Sequence, residues 1–171
     1  MITLLVILAV SCQFLIAASF SPPKYVRIGG LFSQFDLNNA VQPNGRQLLA
    51  AFLMAVRDIN TDHKILPNTT ILVAVKDSKL SVGKTFFDSL NLATKSFQGA
   101  GIDSCIGSYT SGETAAAATV FTQFSTPQIS YSSTSPQLST KINYPFFART
   151  CPSDAFQGAA IADLVFKYYG W

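Results

Sequence analysis

Charge is scarce in this chain, and so are the residues that do chemistry. Charged residues make up 12% of its 171 residues, and the formal net charge is only +3. The 12 Lys and Arg residues are scattered with no run among them, which excludes the basic patch of a nucleic-acid partner. There is one histidine, His63, in a polar turn, and nothing in the sequence pairs with it for acid–base work. No G-x-S-x-G, H-E-x-x-H or G-x-x-x-x-G-K-S/T occurs. With no base beside a nucleophile and no metal-binding pattern, the sequence predicts neither an enzyme nor a cofactor. Cysteine is rare, with Cys12, Cys105 and Cys151 alone. The last two permit one disulfide, but a strand predicted between them keeps them apart, and both read as buried thiols. Disorder is excluded too, because 49% of the residues are hydrophobic.

What is present begins with an apolar run. Thr3 to Ala17 is almost wholly apolar and ends in small residues, so Met1 to Ala18 reads as a secretory signal peptide. A membrane anchor is the rival reading. The run is shorter than the roughly 20 residues a spanning helix needs, which favours cleavage near Ser19. Residues 24–171 then follow as one domain, long enough for a real core. Asn68-Thr69-Thr70, after Leu66-Pro67, is an N-glycosylation sequon in a predicted surface loop. Leader and sequon together place the chain outside the cell.

Strand and helix patterns alternate behind the leader. Strands are expected over Tyr25–Phe32, Thr70–Val75, Ile102–Gly107, Pro127–Tyr131 and Phe146–Thr150. Helices are expected over Asn44–Thr61, Val82–Phe97, Gly112–Phe124 and Ala155–Tyr169. The first helix carries the stripe Leu48, Leu49, Phe52, Leu53, Val56 and Ile59; Ser153 or Asp154 would cap the last. Gly29-Gly30 marks a bend or a close approach of the backbone. Ser132 to Pro145 shows no helix period and reads as a loop. This order predicts an α/β fold with a doubly wound parallel sheet. The chain stops at Gly170-Trp171 directly after a helix, where an α/β unit would return to its sheet, so it reads as part of something longer or as a truncated gene product.

The chemistry concentrates between Cys105 and Ser139. Two hydroxyl-rich turns, Ser108–Gly112 and Ser132–Ser135, follow adjacent predicted strands, where open α/β folds bind ligands. The first turn opens a helix, so its backbone N–H groups and hydroxyls can face an anion together. This predicts a pocket for a small carboxylate, contacted by Ser111, Gly112, Ser132 and Thr134 and walled by Tyr109 and Tyr131. The same residues have plainer uses. Ser111 can cap the helix, Ser132 to Thr134 can form turns before Pro136, and Tyr131 can be core. The residues alone leave both readings open. Glu113 reads as structural, since the helix dipole favours a carboxylate in the first turn.

A series of short motifs adds to this. Ile28-Gly29-Gly30-Leu31-Phe32, Ala55-Val56-Arg57-Asp58-Ile59-Asn60 and Pro127-Gln128-Ile129-Ser130-Tyr131 come first. Ser133-Thr134-Ser135-Pro136, Tyr144-Pro145-Phe146-Phe147-Ala148-Arg149-Thr150 and Tyr169-Gly170-Trp171 follow. Their order over nearly all of Ile28 to Trp171 resembles the amino-terminal lobe of the extracellular ligand-binding domain of class C G-protein-coupled receptors. The likeness leans toward type-B γ-aminobutyric-acid and metabotropic glutamate receptors.

The resemblance implies lobe 1 of a periplasmic-binding-protein type I-like, Venus-flytrap domain, here incomplete. It implies a small amino-acid-like ligand, with Ser111 and Thr134 at its carboxylate and the Ser132 carbonyl at its amine. It further implies a second lobe and a transmembrane region in the full-length protein, a receptor homo- or heterodimer, and a G protein as partner. Two departures stand out. Asn39-Ala40-Val41-Gln42 offers no base for a second ligand carboxylate, which weighs against glutamate. The stretches around Leu37 and Lys79 lack the cysteines that the glutamate receptors join there. The rivals are the ligand-binding region of a receptor guanylate cyclase or an ionotropic glutamate receptor, a secreted solute-binding protein, and a half-domain that binds nothing.

Overall fold

A computed structural model describes residues 22–62 and 64–171; the predicted leader, Cys12 and His63 lie outside them. Among the described residues, nine strands and α-helices follow one another: β1 (Tyr25–Phe32), α1 (Pro43–Thr61), β2 (Thr70–Asp77), α2 (Val82–Lys95), β3 (Ser104–Ile106), α3 (Ser111–Gln123), β4 (Gln128–Ser130), β5 (Phe147–Arg149) and α4 (Asp154–Asp163). The strands form one sheet in the order β2-β1-β3-β4-β5, and every pairing is parallel. The doubly wound α/β architecture expected from the alternation is therefore the one observed.

Both faces of the sheet are apolar for a reason visible in β1. Successive residues of a strand point to opposite faces. Leu31 faces Leu92 of α2 and Ala117 and Phe121 of α3, with Ile102 and Cys105, in a core sealed from solvent. Phe32 faces the other way, its ring 5.4 Å from that of Phe52 on α1. Each fully buried leucine or phenylalanine contributes roughly 1.5–3 kcal/mol. Gly29 lets Ile102, in the segment between α2 and β3, pack down on β1: a Cβ there would come within 2.6 Å of Ile102 Cδ1.

The start of α1 is set by Pro43 at its first position, where the missing N–H costs nothing and the fixed φ suits a helix. Gly45 in the same turn lies against the carbonyl of Ser33, just past β1. This close approach folds the Ser33–Gln42 loop back over the end of the strand.

Four expectations need correction. β2 runs on to Asp77, because Lys76 and Asp77 pair with Leu31 and Phe32. The predicted Ser132–Pro145 loop contains a 3-10 turn at Pro136–Ser139, begun by Pro136. The last helix is not continuous to Tyr169: α4 ends at Asp163 and a π turn covers Leu164–Tyr168, with no buried residue in either. Cys151 is only half-buried, whereas Cys105 is fully buried; both are free thiols, and β4 lies between β3, which holds Cys105, and β5, which Cys151 follows. No helix among the described residues is long and apolar enough to cross a membrane.

Candidate functional site

The strand order creates a switch point. From β1 the chain crosses one way to β2, and later enters β3 on the other side of β1. The loops after β1 and β3 therefore part, leaving the crevice in which open α/β sheets hold ligands. Two cavities open there. One, of about 480 Å³, lies between α1 residues Asn44, Gln47 and Leu48 and the side chains of Tyr109, Tyr131 and Ser132. The other, of about 300 Å³, is bounded by Ser33, Gln42, Asn44, Leu80 and Tyr109. Asn44 and Tyr109 border both.

The two hydroxyl-rich turns are knitted together beside this crevice. Ser130 Oγ donates to the Ser108 carbonyl at 2.9 Å and accepts from the amides of Ser132 and Ser133. Thr114 Oγ1 and Ser133 Oγ share a hydrogen bond of 2.6 Å. The Ser135 amide donates to Ser111 Oγ at 3.2 Å. The first residue of α3 thus touches the turn that carries Ser132 and Thr134. Ser111 and Thr134 are half-buried and Gly112 is exposed; Ser132 and Tyr131 line the larger cavity, which Ser111, Gly112 and Thr134 do not.

Capping of α3 falls to Thr110. Its hydroxyl accepts from the Glu113 amide, and Glu113 Oε2 accepts from the Thr110 amide at 3.2 Å and its hydroxyl at 2.8 Å. This reciprocal box satisfies two of the helix's orphan donors. Ser111 is therefore not needed as the cap. Helix geometry leaves the Ser111 and Gly112 amides without an intrahelical partner. Glu113 is fully buried; its other oxygen accepts from Thr85 at 3.3 Å and Ser33 at 3.4 Å. It joins β1, α2 and α3 and is structural.

Tyr131 bridges the crevice. Its hydroxyl donates to the Leu31 carbonyl at 3.0 Å, and its ring stacks on Phe32 with centroids 5.5 Å apart. Burial, and then the Glu113 charge, push its phenol up, so it remains a donor. Sequence reasoning missed Arg149. Its guanidinium donates to the Ser133 and Ser135 carbonyls at 3.2 and 2.9 Å and to Ser139 Oγ at 2.5 Å, pinning the second turn. Its place in Phe147-Ala148-Arg149-Thr150, directly at the end of β5, was the available signal. Asn68 is exposed in the turn before β2.

The family model for the receptor family ligand binding region matches residues 47–171. The chain belongs to this family. The motif resemblance to receptor ligand-binding lobes therefore holds. Among curated relatives of this ligand-binding region, "Glutamate receptor 3.1" of Oryza sativa subsp. japonica is 37% identical over 149 residues, 87% of this chain and 14% of its own length. "Glutamate receptor 3.7" of Arabidopsis thaliana is 32% identical, over 87% of this chain and 15% of its own. The "Extracellular calcium-sensing receptor" of Homo sapiens is 33% identical over 141 residues, 74% of this chain and 13% of its own. The chain thus spans about a seventh of the length of these relatives.

Proposed function

We propose that this region binds a small amino acid or related zwitterion by its carboxylate, outside the cell, as one lobe of a receptor. The observation that carries this reading is the contact between Ser111 and the Thr134-bearing turn, at the start of α3, where the Ser111 and Gly112 amides have no intrahelical partner. The ligand carboxylate would meet Ser111, Thr134 and the amides of Ser111 and Gly112; the Ser132 carbonyl would take its amine, and Tyr131 would wall the site. The lobe binds without turnover. The hydroxyls of Ser130 and Ser133 are spent on a carbonyl and on another hydroxyl, and among the described residues no base bonds to them.

One lobe binds weakly. Each charge-assisted hydrogen bond contributes roughly 1.5–3 kcal/mol, so these contacts give about 3–6 kcal/mol before association entropy opposes them. A Kd of 1 μM needs about 8 kcal/mol. The difference comes from a second lobe that closes on the ligand, shifting the receptor between open and closed populations. In this reading a leader at Met1–Ala18 directs secretion, Asn68 is glycosylated, and the full-length receptor is a homo- or heterodimer signalling through G proteins. The two plant glutamate receptors among the relatives favour a second reading, a lobe of an ionotropic-type receptor. The downstream transcript separates them, since seven hydrophobic spans mark the G-protein-coupled class.

The carboxylate claim is tested by comparing alanine with alaninamide, which lacks that group. Ligand-observed NMR on the chain should show alanine binding in the millimolar range and alaninamide at least tenfold weaker. Equal binding would overturn the claim.

A further inference from the structure

The second turn carries the Ser132 carbonyl and the Thr134 hydroxyl, yet Ser132 to Ser135 belong to no helix or strand. A short irregular segment keeps one conformation only where other groups take its backbone. Here three successive carbonyls are taken. Arg149 Nη1 donates to those of Ser133 and Ser135, one on each side of Thr134. The Asp154 amide, at the start of α4, donates to the Thr134 carbonyl at 2.9 Å. Among the described residues nothing donates to the Ser132 carbonyl, the one proposed for the ligand amine. Arg149 itself is held by the sheet. It ends β5, pairs in register with Ser130 of β4, and is half-buried. Among the described residues no carboxylate pairs with it, so neutral oxygens of the turn and of Ser139 are its acceptors.

Resting on the zwitterion reading above, we infer that Arg149 is the positioning residue of the site: it does not touch the ligand, but fixes the second turn so that Thr134 and the Ser132 carbonyl stand beside Ser111. Bonded on both sides of Thr134, the turn cannot swing that residue away from the start of α3. A binding group is only as well placed as the residues that hold it, and a strand holds more firmly than a loop. The role belongs to arginine by chemistry. The planar guanidinium reaches several acceptors in fixed directions, whereas a lysine ammonium is a compact point charge on a flexible stem.

The test uses the full chain, secreted from eukaryotic cells, with alanine as the probe in saturation-transfer NMR. Arg149→Ala and Arg149→Lys should each bind alanine about tenfold weaker than the parent. In both, the amide resonances of Ser132, Ser133 and Thr134 should shift or broaden while those of β1 and α2 stay in place. Asp103→Asn loosens the Arg27 pair at the opposite ends of the strands and should leave alanine affinity unchanged. Circular dichroism checks that each variant folds; if Arg149→Ala does not, Arg149→Lys decides. A folded Arg149→Lys with parent affinity would overturn the inference, because charge alone would then suffice. Unchanged turn resonances, or an equal loss in Asp103→Asn, would overturn it as well. These outcomes leave the zwitterion reading standing, whereas a parent chain that does not bind alanine would overturn that reading itself.

Discussion

Alanine in place of Gly45 sets helix propensity against packing in a single substitution. Gly45 lies in the first turn of α1, where alanine alone would gain up to about 1 kcal/mol. Yet a Cβ there would stand 1.8 Å from the Ser33 carbonyl oxygen and 2.5 Å from its carbon. Both atoms are backbone, so either α1 or the end of β1 must move, and forced overpacking costs about 1–3 kcal/mol or more. The net expectation is a loss of about 1–2 kcal/mol. At about 2–4 °C per kcal/mol for a chain of this size, Tm falls by roughly 2–8 °C. Gly83 provides the comparison, because it sits in the first turn of α2 and a Cβ there would meet nothing within 4 Å. Gly83→Ala should hold or raise Tm. Thermal melts followed by circular dichroism read both variants. A Gly45→Ala chain melting at or above the parent would refute the claim that α1 is docked on the Ser33 carbonyl.

Other sites give independent checks. Glu113→Ala removes the acceptor shared by Ser33, Thr85 and Thr110 and breaks the capping box, while Ser33 keeps Ser78 and Thr85 keeps the Ser81 carbonyl, and should cost roughly 1–3 kcal/mol in denaturant unfolding. Glu113→Gln keeps a box-forming side chain and should cost clearly less; equal costs would argue against the box. Arg27 hydrogen bonds hold the Asp103 carboxyl below its usual range. A depressed carboxylate stabilises the fold above its unfolded pKa of about 3.9 and loses that contribution as pH falls through the lower folded value. The stability gap between the parent and Asp103→Asn should therefore shrink below about pH 4, and a gap constant to pH 2 would contradict the pairing. Asn68→Gln should remove one glycosidase-sensitive mass step from chain secreted by eukaryotic cells; an unmodified parent would contradict glycosylation at Asn68.

The order of elements was legible because strands and helices here follow simple patterns. Tyr25–Phe32 reads as a strand and is one to the residue, and the α1 stripe from Leu48 to Ile59 marks a helix that the structure contains. Strand ends were less legible, since they depend on partners: β2 gains Lys76 and Asp77 only because β1 extends beside it. Thr110-Ser111-Gly112-Glu113 is a capping box in plain sequence, yet Ser111, directly before a glycine, is an equally acceptable cap by residue type. One helix was expected over Ala155–Tyr169, but in the structure it gives way to a π turn after Asp163, and Phe156, Ile161 and Phe166 are exposed. The crevice itself was not legible. Asn44 and Tyr109 meet only through the strand order β2-β1-β3, and no local pattern records which strand lies beside which.

The central claim is that Ser111 holds a ligand carboxylate and is not simply a helix cap. Titrating alanine into the two-lobed receptor domain by calorimetry, with and without Ser111→Ala, tests it most directly. Thr110 retains the cap, so the variant should fold. Loss of one charge-assisted hydrogen bond, roughly 1.5–3 kcal/mol, predicts affinity weaker by tenfold or more. A folded Ser111→Ala domain that binds alanine as tightly as the parent would contradict the account.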